Sequence, residues 1–268
     1  MSKAQFAGFL NTPSIWRGKQ FGIQQFEFPS VNLSSFQPIP LPGNLRLGHQ
    51  IEHIFRQLIE HSATFSIVLH NLPISKEGQT LGEIDFILRN STTDKLIHVE
   101  LTYKFYLILP EVADPIRKLI GPNRRDKFSY KVSKIRDRQF GLLDTAEGAE
   151  ALHQHSIDPS EIEHQCCFKA QLFQPYGSTE VQIGSFNQAC IRGYWLNFND
   201  FNTPHFAKAL FYMPTKSEWV IEPHEQIGWK GHSEILTEIR QSHLRERAPM
   251  LWVKRAEGAL EKLFVVWW

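Results

Sequence analysis

The stretch from Gly82 to Tyr106, GEIDFILRNSTTDKLIHVELTYKFY, concentrates the residues that could do chemistry. It reads as two strands joined by a polar turn. The first carries Glu83 and Asp85 on one face, against Ile84, Phe86 and Leu88 on the other. The second alternates His98, Glu100, Thr102, Lys104 and Tyr106 with Val99, Leu101, Tyr103, Phe105 and Leu107. Strand side chains repeat every two residues, so Glu100 and Lys104 share a face. Pairing the strands brings Asp85 near Glu100. Two carboxylates with a lysine close by are the groups through which a divalent cation and a phosphodiester meet a water. The same polar alternation also fits a half-solvated antiparallel sheet, and Glu83 also reads as a mere solvent-facing neighbour of Asp85.

The flanking sequence must position these groups. Leu45 to about His61 predicts a helix, because Ile51, Ile54, Phe55, Leu58 and Ile59 follow the spacing of one buried face. Glu52 lies on it. Phe65–Leu72 reads as a strand, and Asp114–Asn123 as a loop with Pro115, Gly121 and Pro122. A second helix is expected from about Asn123 to Gln139, with Asn123 or Asp126 as cap. Phe128, Val132, Ile135 and Gln139 form one stripe on it, and Lys127, Lys131, Lys134 and Arg138 a basic stripe beside it. A polar stretch, Asp144–Gln165, leads to strands at Cys166–Phe173 and Ala189–Phe198. A helix near Ser233–Arg247 and a hairpin of Met250–Lys254 with Leu263–Trp267 follow. Residues 1–44 read as an arm, with a short helix over Ala4–Leu10 and breaks at Pro13, Pro29, Pro38, Pro40, Pro42 and Gly43.

Bulk properties exclude some classes. A chain of 268 residues with 42% apolar and 21% charged residues can bury a full core. The net charge of +1 rules out a globally basic nucleic-acid binder. Between Arg117 and Arg138, however, nine Lys or Arg face two Asp, a local excess that suits phosphate contact, although a basic stripe is also the usual look of a solvated face. Cys166, Cys167 and Cys190 offer neither a disulfide framework nor metal-ligand spacing, so they read as reduced and packed, and the protein as cytoplasmic. No segment reaches transmembrane length. Trp195, Trp219, Trp229, Trp252, Trp267 and Trp268 read as core or interface residues rather than base-stacking platforms, and His98 as a packing or surface residue.

The order Glu52, Asp85 in GEIDF, Glu100 in HVEL, Lys104, Gln139 resembles the PD-(D/E)XK nuclease superfamily, with the restriction-endonuclease-like fold, and within it the resolvase-type branch. RLGHQIE, TLGEIDF, HVELTYKFYL and GPNRRDK together also resemble an uncharacterised bacterial family, a domain of unknown function whose members look like divergent relatives of that superfamily. The first resemblance covers roughly residues 45–140. It implies an α/β core of helix, three strands, helix, strand over residues 45–198, with the arm before it and a C-terminal extension, 199–268, packed on it. It further implies that Asp85 and Glu100 bind Mg²⁺ or Mn²⁺, that Glu52 completes the metal shell through water, and that Gln139 matches a glutamine found after the second core helix. The superfamily pattern puts a lysine two residues after the glutamate, where this chain has Thr102. Lys104 stands one step further along the same face, ~6.6 Å away at strand rise, and its flexible stem could span part of the gap. The implied activity is Mg²⁺-dependent hydrolysis of DNA or a structured nucleic acid, with Lys127, Lys131, Lys134 and Arg138 on flanking phosphates.

Three other readings stay open. The displaced lysine suits a nucleic-acid-binding module that has lost catalysis. His49-Gln50-Ile51-Glu52-His53 fits the H-x-x-E-H pattern of inverted zinc peptidases, with two helical histidines for zinc and a glutamate base. The carboxylates could also be structural, in an interaction subunit.

Overall fold

A computed structural model describes residues 2–40, 45–179 and 181–268. The break expected at Pro42 and Gly43 lies outside the described residues. Helix α1 (Lys3–Asn11) is followed by a two-stranded ribbon, β1 (Lys19–Gln20) with β2 (Ile23–Gln24). Helix α2 (Leu47–Glu60) buries Ile51, Ile54, Phe55, Leu58 and Ile59, the stripe its spacing predicts. Strands β3 (Phe65–Lys76) and β4 (Gln79–Asn90) form a hairpin. Its two turn residues, Glu77 and Gly78, both have positive φ, 49° and 80°, the conformation that matches strand twist. Strand β5 (Leu96–Ile108) follows, and β6 (Leu119–Ile120) pairs with its end inside the stretch read as a loop.

Helix α3 (Phe128–Lys134) starts later than the spacing suggests. Gly121 N–H donates to the Asp126 carbonyl at 2.7 Å, and Lys127 bridges back to Ile120. The backbone of residues 121–127 is therefore used in a turn and cannot begin a helix. After Lys134 the helix widens into a π turn, Ile135–Gln139, and then tightens at Phe140–Leu142. Helix α4 (Ala146–His153) lies in the stretch read as polar and is capped by Thr145, whose side chain accepts from Gly148 N–H. Strands β7 (Ile162–Pro175) and β8 (Ile191–Asn197) are parallel. A single turn, α5 (Phe198–Phe201), strand β9 (Leu210–Tyr212) and helix α6 (His232–His243) precede the expected hairpin, β10 (Met250–Lys254) with β11 (Leu260–Val266).

The fold is α/β, with a large mixed sheet in the order β3-β4-β5-β7-β8-β11-β10-β9. Two compact units share the chain: residues 1–6, 14–103 and 130–169 form one, and 7–13, 104–129 and 170–268 the other. The chain thus weaves between the units. Within the first unit, Gln25 and Phe26 of the segment read as an arm are buried. Phe26 packs on Phe55 and Phe65, and Gln25 bridges to Cys166 of β7. Within the second unit, Phe201, Phe206, Phe211, Ile235, Ile239 and Leu251 form a core under α6. No helix among the described residues is long and apolar enough to cross a membrane. Cys166, Cys167 and Cys190 are free thiols, all buried.

Phe55 is the keystone of the first unit. It is fully buried, with its ring centroid 4.6 Å from that of Phe86, the residue next to Asp85, and 5.4 Å from that of Phe28. Phe55→Ala should therefore cost ~3–5 kcal/mol, read as a lower urea midpoint at an unchanged slope.

Candidate functional site

Regular pairing breaks down around Asp85. The β4–β5 ladder runs from Arg89↔Leu96 to Phe86↔Val99. One step further, Asp85 would oppose Glu100, but the ladder stops there. Leu101 N–H instead donates to Asp85 Oδ2 at 2.8 Å, so a carboxylate has replaced a backbone carbonyl. The break has a counterpart on the other neighbour. His70 pairs with Phe86 and Leu72 with Ile84, which puts Asn71 across from Asp85, and Asn71 has a left-handed φ of 52°. Asparagine is among the few residues that take this conformation readily.

A hydrogen-bonded network surrounds this gap. Gln139 Nε2 donates to Glu100 Oε1 at 3.0 Å and to the Glu83 carbonyl at 3.3 Å. Asn71 Nδ2 donates to Glu83 Oε1 at 3.1 Å and to Glu52 Oε2 at 3.4 Å. The structure thus brings together Glu52, Glu83, Asp85, Glu100 and Gln139, from α2, β4, β5 and the π turn. The π turn matters here. A π segment inserts about one residue into the helical repeat, and it is the stretch that ends at Gln139.

The polar face of β5 is not solvated. His98, Glu100 and Thr102 are all buried, and the segment after α3 covers this face, with Phe140 against His98 and Gln139 on Glu100. Burial, and then the neighbouring Glu100, push the Asp85 carboxyl up to about 8, while the Leu101 amide and Lys131 act in the opposite sense. Among cations, Lys131 is the one whose charge acts on Asp85. It is half-buried on α3 and makes no ion pair or hydrogen bond among the described residues. Lys104 is committed elsewhere, with its Nζ 2.6 Å from Asp126 Oδ2. The basic stripe does not form as a regular helix would give it. Lys127 precedes α3, Lys131 and Lys134 lie on it, and Arg138 lies in the π turn.

Beside the network is a cavity of about 380 Å³ lined by His49, Glu52, His53, Arg56, His70 and Asn71. His49 Nδ1 sits 3.1 Å from Glu52 Oε2, so the H-x-x-E-H residues share a helical face without converging on one point. Among the described residues, no three His, Cys, Asp or Glu side chains cluster at metal-ligand spacing. A cation between Asp85 and Glu100 would therefore keep most of its coordination as water. Mg²⁺ is bound in that manner, and zinc in structural sites is not.

A model of the domain of unknown function DUF1853 matches residues 25–266. The chain belongs to this family. No curated protein and no solved structure matches it. The DUF1853 match spans both compact units and every residue of the network.

Sequence reasoning missed three contributors: Asn71, His98 and His164. Asn71 was available as an asparagine beside His70 near the end of the stretch read as a strand, Phe65–Leu72. His98, read as packing, is fully buried with Nε2 3.5 Å from Glu100 Oε1, and its Nδ1 is 3.1 Å from His164 Nδ1. One imidazole of that pair must donate. If His164 donates, the His98 proton is on Nε2, facing Glu100. His164 is held neutral by burial and by His98.

Proposed function

We propose that this protein is a divalent-cation-dependent phosphodiesterase acting on nucleic acid, with a PD-(D/E)XK-type site in a restriction-endonuclease-like core formed by α2, β3, β4, β5, α3 and β7. The observation that carries this reading is the pair of half-buried Asp85 and buried Glu100, placed where two strands part, with too little positive charge around them. Ionised carboxylates out of water are costly without a counter-charge. The elevated Asp85 carboxyl expresses that deficit. A hard divalent cation with oxygen ligands corrects it.

Asp85 and Glu100 would hold Mg²⁺ or Mn²⁺, which when bound lowers the pKa of a coordinated water and screens the phosphate. The remaining work belongs to the chain. The Leu101 amide fixes one Asp85 oxygen, and Gln139 fixes one Glu100 oxygen. Lys131 supplies the positive charge that favours a more negative transition state. Glu52, through Asn71, closes the side towards the histidine-lined cavity. Lys134 and Arg138, both exposed, would meet flanking phosphates, which position a strand without reading its sequence.

A second reading has one observation in its favour. The ion pair of Lys104 with Asp126 withholds the lysine nearest the motif position, as expected of a binding module that no longer cleaves.

The test is the full chain with labelled single-stranded, duplex and branched DNA and RNA, in Mg²⁺, Mn²⁺ or chelator. Cation-dependent cleavage is expected. Binding without cleavage favours the second reading, and neither outcome with any substrate would make the carboxylates structural. Lys134→Ala/Arg138→Ala should weaken binding about equally for unrelated sequences and flatten the salt slope by about 1–2.

A further inference from the structure

The second unit contains a larger cavity, of about 790 Å³, on which the carboxylate network does not draw. Its walls include Phe198, Arg240, His243, Leu244, Trp267 and Trp268. Two arginines lie flat against its aromatic rings: the Arg240 guanidinium is 5.5 Å from the Phe198 ring centre, and that of Arg124 is 4.7 Å from Trp268. Burial pushes the His243 imidazole down from its ordinary value, against the Val265 carbonyl, which its Nε2 meets at 3.0 Å as a donor.

Positive charge is supplied by the same two arginines. Arg240 and Arg124 are exposed, and neither makes an ion pair among the described residues. Of the acids on neighbouring segments, Glu246 pairs with Arg125 at 2.8 Å, while Asp200 accepts from Asn197 at 2.7 Å and keeps its charge. Leu244, at the edge, is 87% exposed. Trp268 donates its indole N–H to the Pro122 carbonyl at 3.0 Å, which orients this wall.

A planar, apolar-faced ligand carrying negative charge matches aromatic rings layered with guanidinium groups. Nucleobases joined by phosphates have that combination, and their faces are free only when the strand is unpaired. We infer that this groove binds single-stranded nucleic acid, with bases stacked against Trp267 and the Arg240–Phe198 pair and phosphates met by the Arg240 and Arg124 guanidinium groups. The inference rests on the groove's own residues and does not need the carboxylate site to be catalytic.

The experiment is fluorescence anisotropy of the full chain in chelator, so that no cleavage intervenes. The probes are a labelled oligothymidylate, an oligouridylate and a duplex of equal length. Arg240→Ala and Trp267→Ala should each weaken binding of both single strands about tenfold, the order expected for one lost stack, and leave duplex affinity within about twofold of wild type. Arg240 is exposed, so that variant folds even if Trp267→Ala does not. Unchanged single-strand affinity in Arg240→Ala overturns the inference, as does an equal loss on duplex. So does sedimentation showing that Leu244→Asp converts a dimer to a monomer, because a second copy would then be the occupant. The Lys134→Ala/Arg138→Ala protein separates this groove from the first site, because its losses should extend to the duplex.

Discussion

Asp85→Asn and Glu100→Gln should each reduce cation-dependent cleavage roughly a thousandfold or more, the equivalent of several kcal/mol of lost charge stabilisation, while leaving nucleic-acid binding intact. The same substitution at Asp85 has a second, opposite effect on the metal-free protein. The Asp85 carboxyl is raised from 3.8 to about 8 in the fold, chiefly by burial and then by Glu100. The folded state therefore holds a proton that the unfolded chain releases. The stability this contributes is complete below 3.8 and is lost as pH rises towards about 8, so stability falls with pH across that window. The substituted amide would keep an oxygen for the Leu101 N–H, offer its NH₂ to Glu100, and carry no charge to bury. In chelator, Asp85→Asn should be more stable than wild type at about pH 8 and gain little at about pH 4. Mg²⁺ should stabilise wild type and not the variant. Urea melts at the two pH values, with and without Mg²⁺, decide this. A wild-type protein whose stability is flat across the window, or one that Mg²⁺ leaves unmoved, would falsify the carboxylate pair as a cation site.

How far the sequence disclosed this arrangement depends on whether local pattern or tertiary pairing set each part. Helix α2 was legible because five apolar residues keep the 3.6-residue period and all five are buried. Strands β4 and β5 were legible from alternation, but the meaning of the alternation was not. Polar residues at every second position suggest a wet face, whereas Gln139 and Phe140 pack on that face of β5, and His98, Glu100 and Thr102 are buried. Only that packing, which is a long-range property, reveals it. Helix α4 escaped because its sequence, AEGAEALH, has one large apolar residue, Leu152, to anchor it. Its Gly148 is pressed so close to the Leu142 carbonyl that a Cβ there would lie 2.0 Å from the oxygen. The signal present was Thr145, a capping residue.

At the site, the sequence supplied the carboxylates, and the fold supplied their relation to everything else. Gln139 sits where the order Glu, Asp, Glu, Gln suggests, yet its contact with Glu100 depends on a π turn that no regular helical period anticipates. The same turn takes Arg138 off the straight line drawn through Lys127, Lys131 and Lys134. Asn71 was hidden by the strand around it. Its left-handed backbone becomes intelligible only once register puts it opposite Asp85.

The lysine is where spacing and structure part most sharply, and it gives the second large effect. Lys131→Met should lower turnover about a hundredfold, the cost of removing one preorganised donor, with binding changed little, whereas Lys104→Met should leave turnover near wild type. Spacing along β5 favours Lys104, since it shares a face with Glu100. But its Nζ is 2.6 Å from Asp126 Oδ2, and an ammonium already paired has little charge to lend. Asp126 is itself a neighbour of Tyr106, whose phenol is raised by burial and then by Asp126, so the Lys104–Asp126 pair reads as packing of the second unit. Both partners are partly exposed, and losing the pair should cost about 1 kcal/mol or less. Lys131 has no such partner among the described residues, and its charge is felt at Asp85. Methionine keeps the apolar stem and removes only the charge, so folding is preserved. Loss of the charge should also push the Asp85 carboxyl higher still, steepening the fall of metal-free stability with pH. Turnover and pH-dependent melts of the two methionine variants, side by side, separate the roles. If Lys104→Met proves the inactive one and Lys131→Met is silent in both measurements, the motif's displaced lysine works from β5 after all, and its ion pair with Asp126 must open during the reaction.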